Sequence, residues 1–403
     1  MEAKNTAEDK TAESSTMAAY DIAAVLETVN ISLYSNPEIG MKETKAHNLL
    51  CSVLKNMSFQ VQEHYMFQTG FRAEFAIKEG GPRICIVCEY DALPDIGHAC
   101  GHNLVATGAV CAASLISKEI KDKGLAGKLI VLGTPGKENN STKAILINNG
   151  AFEDVDVAMG LHPGSSGTLN PRTRCSLRVQ IRFRGTRMLP SSGLPCIHNA
   201  MDAAVLAYMK ITLSRQLMPR SWKINGVINL PGRYPCEVPG FTESEYILEA
   251  PRHDNLLTLR ASVENCILAV AKESGCTVEA KFFTPALNFL SNEPMANMFR
   301  SHLSGNLSME LFPSSNAAQP LSPTDWGNVS QVVPCICPYY RIWSHGPKHT
   351  RQFTTAAGTK ESAAATLEVA LALASTALQV LKTRSTLKKI RTAFEEQLKN
   401  VDA

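Results

Sequence analysis

Three short, continuous apolar runs decide what this chain can fold into. Ile84, Cys85, Ile86, Val87 and Cys88 lie within Arg83 to Tyr90; Lys128 to Leu132 and Val155 to Met159 follow. A strand that is apolar on both sides is covered on both faces, as in a parallel sheet flanked by helices. Helical patterns separate the runs, from about His102 to Lys118 and from Thr142 to Asn148. Strands alternating with helices predict an α/β domain with a mainly parallel sheet.

The pattern changes after Leu169. Leu177, Val179, Ile181 and Phe183 alternate with Arg178, Gln180, Arg182 and Arg184, a period of two that marks a strand with one buried and one wet face. A helix from about Ala200 to Leu217 follows, then strands near Trp222 to Asn229 and Glu243 to Glu249. A helix from Asp254 to Ser274 and a strand from Cys276 to Phe283 complete the segment. The order β-α-β-β-α-β is ferredoxin-like. Residues 173–285 therefore read as an α+β domain inserted into an α/β domain made of residues 19–172 and 286–403. Two domains suit a chain of 403 residues. In the returning α/β part, Asn297 to Ser304 reads as helix and Val329 to Cys337 as strand. Thr355 to Lys382 reads as one long alanine-rich helix, and Leu387, Ile390, Phe394 and Leu398 as a final amphipathic one. Residues 1–18 are small and polar, and are expected to be disordered.

Composition narrows the function classes. The chain is 44% hydrophobic and 19% charged, with scattered basic residues and a net charge of +3, which argues against nucleic acid as the partner. No unbroken apolar stretch of membrane-spanning length and no signal-like N-terminus is visible, so a cytoplasmic protein without a membrane partner is expected. Most of the 12 cysteines stand singly in apolar surroundings, as reduced buried cysteines do.

Chemistry-bearing residues collect where the inferred strands end. His98-Ala99-Cys100-Gly101-His102 follows the first run. Glu138 follows the second, after Gly133-Thr134-Pro135, and His162 the third. Ligands of parallel sheets bind outside the carboxyl ends of the strands. Thiolate, imidazole and carboxylate together suit zinc or another first-row divalent ion. Taken singly, each has a plainer reading: a histidine as a surface or capping group, a cysteine as core, a glutamate as solvated.

Cys88-Glu89-Tyr90-Asp91-Ala92-Leu93-Pro94, followed by Gly97-His98-Ala99-Cys100-Gly101-His102-Asn103, resembles the zinc aminoacylase, carboxypeptidase and amidohydrolase superfamily of metallopeptidases. Within it, the chain looks like the dipeptidases that cleave dipeptides ending in Lys, ornithine or Arg. Gly133-Thr134-Pro135, Asn199 to Tyr208, Thr324 to Ser330 and His349-Thr350 extend the similarity over about residues 20 to 398. The resemblance implies a metal-binding α/β domain interrupted by a ferredoxin-like lid that often dimerises, hence a homodimer. It implies up to two zinc or manganese ions held by Cys100, His102, Glu138, His162 and His349, with Asp91 orienting the site from behind.

The resemblance also exposes departures. The family's general base is the first of two adjacent glutamates, and here the pair reads Lys137-Glu138. A register shifted by one would instead make Glu138 the base and Asn139 a ligand. A lid histidine that polarises the scissile carbonyl is matched by Leu189, and a lid asparagine by Cys236. Trp343 stands where a small glycine is usual and is expected to fill the substrate pocket; Asp325 is expected near the site. An ammonium is donor-only and leucine donates nothing. Three readings follow: a metal-holding relative that binds a small dipeptide-like ligand with hydrolysis lost or strongly reduced; an active Xaa-Arg or β-alanyl-lysine dipeptidase; and a metal-free interaction scaffold.

Overall fold

The computed structural model describes residues 27–140, 142–188, 198–229, 237–303 and 322–399; Leu189, Cys236 and residues 1–18 lie outside them. The chain divides into two compact units. One comprises Met1–Pro171, Leu290–Ala318 and Val329–Ala403, the other Arg172–Phe289 and Gln319–Asn328.

The first unit begins, after helical residues 27–35, with α1 (Thr44–Asn56), β1 (Gln60–Glu63), β2 (Phe71–Phe75) and β3 (Arg83–Glu89). Next come α2 (His102–Lys123), β4 (Lys128–Thr134), α3 (Lys137–Asn140), α4 (Thr142–Asn148), β5 (Val157–Met159) and β6 (His162–Gly164). Its six-stranded sheet has the order β1-β2-β4-β3-β5-β11, where β11 is Cys335–Ile336. Strands β4, β3, β5 and β11 run parallel; β1 and β2 form an antiparallel edge. The apolar runs sit at the parallel centre, and Ile84, Ile86, Leu129, Val131 and Val157 are fully buried. Burial of each such side chain contributes about 1.5–3 kcal/mol. Strands β1 and β2 have no counterpart in the sequence reading. Their residues (Gln60-Val61-Gln62-Glu63 and Phe71-Arg72-Ala73-Glu74-Phe75) are short and polar enough to pass for loop.

The second unit contains β7 (Cys175–Arg184), α5 (Ala200–Ser214), β8 (Lys223–Asn229), β9 (Phe241–Ala250), α6 (His253–Ser274) and β10 (Thr277–Phe282). The antiparallel sheet order β10-β7-β9-β8 is that of a ferredoxin-like domain. Leu177, Val179, Ile181 and Phe183 of β7 pack with Ala203, Ala207, Leu259 and Val263 of the two helices. The arginines on the other face are paired as well as wetted. Arg178 binds both oxygens of Glu245 at 3.1 Å, and Arg182 reaches Glu243, its direct cross-strand partner, at 2.7 Å. Arg184 lies over the Phe241 ring.

In the returning part of the first unit, α7 (Glu293–Ser301) starts earlier than its apolar pattern suggests, because Asn292 caps it by accepting from Met295 N. Val329 to Cys337 is not one strand: it starts at a helical end, and only Cys335–Ile336 joins the sheet. Strand β12 (Tyr339–Arg341) pairs with β6. The stretch Thr355 to Lys382 is two helices, α8 (Arg351–Ala357) and α9 (Lys360–Lys382), followed by α10 (Arg384–Lys399). Thr359 breaks it by accepting from Ser362 N as a new N-cap. Gly358 also lies so close to Tyr34 that a Cβ would meet its ring at 2.4 Å.

By length and composition α9 is apolar enough to cross a membrane. Yet Val369, Ala370, Leu373, Ala377 and Val380 belong to the same core as Ala109, Ala113 and Ile116 of α2. Leu373 is 0% exposed and Leu371, on the outer side, is 40% exposed. Leu373→Ala should cost about 2–5 kcal/mol in urea denaturation, and Leu371→Ala less than about 1 kcal/mol. Equal losses would contradict this placement.

Candidate metal site

The site forms where β3, β4 and β6 meet the first turn of α2, all within the first unit. Strand β3 runs into Asp91; the turn Pro135-Gly136 after β4 presents Lys137 and Glu138; His162 opens β6. Gly101, at φ 79°, precedes α2 in the left-handed conformation. A Cβ there would meet Pro163 Cγ at 2.4 Å, so glycine lets Cys100 and His102 flank a tight turn. His349 also has a positive φ, 66°, and its N–H donates to Ala99 O, which holds the last residue of the cluster against the first.

These positions bring all five sequence-inferred residues together. The donor atoms of Cys100, His102 and His162 lie within 4.8 Å of one another, as do those of Cys100, Glu138 and His349. Cys100 is common to both groups. Asp91 stands behind: its Oδ2 accepts from Glu138 N at 3.0 Å, and its Oδ1 lies 2.8 Å from His102 Nδ1. His102 Nδ1 also donates to Asp91 O at 2.9 Å. This fixes the ring and turns His102 Nε2, buried and without a hydrogen-bond partner among the described residues, towards the cluster. Burial favours the neutral ring, but Cys100 and Asp91 overcome it and hold His102 well above the usual histidine range, so a metal ion at Nε2 would displace a proton. His162 is fixed in the same way. Its Nδ1 donates to Pro163 O at 2.7 Å, its ring stacks on Tyr339 at 4.7 Å, and its Nε2 lies 3.5 Å from Cys100 Sγ. Two imidazoles with their far nitrogens engaged, a thiol and a carboxylate are a donor set that fits a borderline divalent ion.

Several charged groups escaped the sequence reading. Glu89 places Oε2 3.3 Å from His102 Nε2 and is ion-paired through Oε1 to buried Lys143 at 2.8 Å. The only sequence signal for this pair was a glutamate ending an apolar strand and a lysine inside the apolar helix α4. Lys348 holds its ammonium over the Tyr339 ring at 4.8 Å. Trp343 is 61% exposed, with the Arg341 guanidinium 3.8 Å from its ring. Asp325 is buried and belongs to the second unit.

Lys137 is the decisive addition. Its Nζ lies 3.1 Å from Glu138 Oε1 and 3.6 Å from Cys100 Sγ. Burial alone would strip its proton, but Cys100, Glu138 and Glu89 overcome burial and hold the ammonium well above the usual lysine range. The reverse acts on the anions. Burial and Glu138 push the Cys100 thiol up, while Lys137, His102 and Lys348 outweigh them and bring it to about 6. Glu138 is held well below the usual carboxylate range by Lys137, His102 and His349 against burial. Burial likewise opposes ionisation of Glu89, yet Lys143, His102 and Lys137 lower it to about 2. Burial, Lys348 and Lys137 keep His162 neutral, the form that offers a lone pair.

A thiolate absorbs near 240 nm, so in chelator-treated protein a first step with a midpoint near pH 6 should titrate Cys100, well apart from Cys51, Cys85 and Cys111, whose burial pushes them to about 12. Lys137→Met removes a cation that favours the thiolate, so the step should move to higher pH. An unmoved step would show that Lys137 does not act on the thiol.

No protein-family model matches the chain. It is 35% identical over 366 residues to the Xaa-Arg dipeptidase of Homo sapiens, spanning 85% of this chain and 82% of that protein. The identity to the Mus musculus Xaa-Arg dipeptidase is 36% over 358 residues, 84% and 82% of the two chains. Among solved structures, a dinuclear metal-binding peptidase of the M20 family from Bacillus subtilis superposes with a TM-score of 0.65 at 17% identity, covering 90% of this chain and 99% of that one. A putative aminohydrolase from methicillin-resistant Staphylococcus aureus gives 0.67 at 17%, covering 90% and 97%. The M20-type fold and the extended identity with the dipeptidases together establish that the chain belongs to the metallopeptidase and amidohydrolase superfamily that includes Xaa-Arg dipeptidase.

Proposed function

We propose that this protein holds one divalent ion, zinc or manganese, through Cys100, His102, Glu138, His162 and His349, and binds a small dipeptide-like ligand with hydrolysis lost or strongly reduced. Free, buried cysteines are in keeping with a cytoplasmic setting, and a homodimer is proposed by kinship. The observation that carries the reading is the Lys137 ammonium between Glu138 and Cys100.

A bound divalent ion would supply Lewis-acid polarisation and acidify water. The chain's own residues do the rest, and one task has no agent. Asp91 holds the His102 tautomer and the Glu138 backbone; Pro163 O and Tyr339 hold His162. Lys137, where relatives are expected to carry the base, keeps its proton and accepts none. General acid–base catalysis contributes about 10²–10⁴-fold, and the absent carbonyl polariser at Leu189 removes about 10²–10³-fold more.

Charge balance supports one ion over two. Cys100, Glu138, Glu89 and Asp91 are set against Lys137, Lys143 and Lys348. Once a metal ion has displaced the proton from His102, an excess of one negative charge is left, which a single dication offsets better than two. A glutamate at position 137 would raise that excess to three.

A second reading, an active dipeptidase for Xaa-Arg or β-alanyl-lysine dipeptides, is favoured by the 35% identity to Xaa-Arg dipeptidase and by Glu89, a second carboxylate in the cluster. Against it, Glu89 is claimed by Lys143 and lowered to about 2, which makes it a weak base.

Metal analysis of desalted protein, with hydrolysis assays on a β-alanyl-lysine and an Xaa-Arg dipeptide, separates the readings. About one tightly held equivalent without turnover is expected, because the Lys137 ammonium already engages Glu138 and Cys100. Lys137→Glu combined with Leu189→His should raise tightly held metal towards two equivalents and restore chelator-sensitive hydrolysis by at least about 10²-fold. Chelator-sensitive turnover by the unaltered protein would overturn the first reading in favour of the second.

A further inference from the structure

The chain that carries β12 and His349 is basic from end to end. From Val329 to Lys360 it contains Arg341, Lys348, Arg351 and Lys360, and no aspartate or glutamate. Strand β12 runs beside the metal donors. Tyr339 lies opposite His162 and stacks on its ring at 4.7 Å, and Arg341 lies opposite Gly164. Side chains alternate along a strand, so Tyr339 and Arg341 share one face, with Arg341 about 7 Å further along it.

Two of these cations have an aromatic seat and no counter-ion. The Lys348 ammonium lies 4.8 Å from the centre of the Tyr339 ring, and the Arg341 guanidinium 3.8 Å from that of Trp343. Neither makes an ion pair among the described residues. An aromatic face orients a cation without neutralising it. Both charges therefore stay open to a ligand.

The carboxylates of the cluster are already committed. Glu138 meets Lys137 at 3.1 Å and His349 at 3.4 Å, and Glu89 meets Lys143 at 2.8 Å. Asp91 is held by His102 and by the Glu138 backbone. One dication added to the cluster's single excess negative charge leaves it positive. A basic side chain entering beside β12 would meet like charge and no uncommitted carboxylate there. An acidic one would meet Lys348 first and Arg341 further along the same strand.

We infer that Lys348, backed by Arg341, is a specificity-determining residue through which the Cys100 site selects dipeptide-like ligands with an acidic side chain over those with a basic one. The inference rests on the reading that this site binds a small dipeptide-like ligand, and it names the class of that ligand.

Calorimetric titration of the full-length, zinc-loaded protein with β-alanyl-glutamate, β-alanyl-glutamine and β-alanyl-lysine tests it. Glutamate and glutamine match in shape, so the ratio of their Kd values isolates the charge. The glutamate dipeptide should bind at least about tenfold tighter than the glutamine one, and the lysine dipeptide most weakly. Raising the ionic strength from about 0.01 M to about 1 M should narrow the glutamate-to-glutamine ratio, because the Debye length falls from about 30 Å to about 3 Å. Lys348→Met keeps an unbranched side chain over Tyr339 and removes the charge. It should bring that ratio towards one, with glutamine binding little changed; a merely structural role would weaken both dipeptides alike. A lysine dipeptide bound as tightly as the glutamate one, or a ratio unmoved in Lys348→Met, would overturn the inference and leave the dipeptide reading standing. Failure of all three dipeptides to bind would overturn that reading itself, and the inference with it.

Discussion

The Asp91 carboxylate is the tie on which the rest of the site depends. One oxygen takes the Glu138 backbone N–H and the other faces His102 Nδ1, so the ends of β3 and β4 and the first turn of α2 are held by one buried group. The neighbouring Glu43 carboxylate repeats the device one layer further out. It accepts from Gly136 N at 2.7 Å and from the Thr69 hydroxyl at 2.8 Å. Burial raises its pKa, while those hydrogen bonds oppose the rise. Gly40 closes the packing, since a Cβ there would meet Gly136 Cα at 2.8 Å. The backbone around Lys137 and Glu138 is therefore fixed from outside, whichever side chains it carries.

That separation explains how the positions survive a change in chemistry. Position 137 inherits its place from Gly136, Asp91 and Glu43, not from the group it bears. An unpaired ammonium taken out of water would surrender its proton. Here two anions within 3.6 Å reverse the outcome, and the same contacts make the thiol and the carboxylate more acidic. Removing one partner from such a buried network costs about 3–5 kcal/mol, because the other charge is left uncompensated. Lys137 and its anions are thus mutually dependent even where no cation joins them.

Much of the fold was legible because its signals are local. Apolar runs announced β3, β4 and β5, and the alternation of Leu177 to Phe183 announced β7. What escaped depends on contacts distant in sequence. Strands β1 and β2 become strands by pairing outward from β4, with Phe71 opposite Gly133 and Ala73 opposite Val131. Nothing in Gln60 to Glu63 alone requires it. The break between α8 and α9 was hidden by continuous helix-forming composition, and only the Thr359 cap and the approach of Tyr34 to Gly358 reveal it. At the site, the strand-end rule located Cys100, His102, Glu138 and His162. Glu89, Lys143 and Lys348 were missed because a charged residue buried by its partner looks in sequence like any solvated one.

The electrostatics of position 137 also bear on what the site admits. At about 4 Å and an effective dielectric constant near 20, two unit charges interact by about 4 kcal/mol. A dication beside the Lys137 ammonium meets roughly twice that repulsion before the anions are counted. The Cys100, His102 and His162 donors carry the smaller share of this penalty if the ammonium stays with Glu138, its nearer anion at 3.1 Å. The Cys100, Glu138 and His349 group carries the larger share, because Lys137 already engages two of its three donors. A single lysine thus makes two donor groups that share a thiol unequal: an ion settles first against Cys100, His102 and His162, and reaches Glu138 and His349 against the larger repulsion.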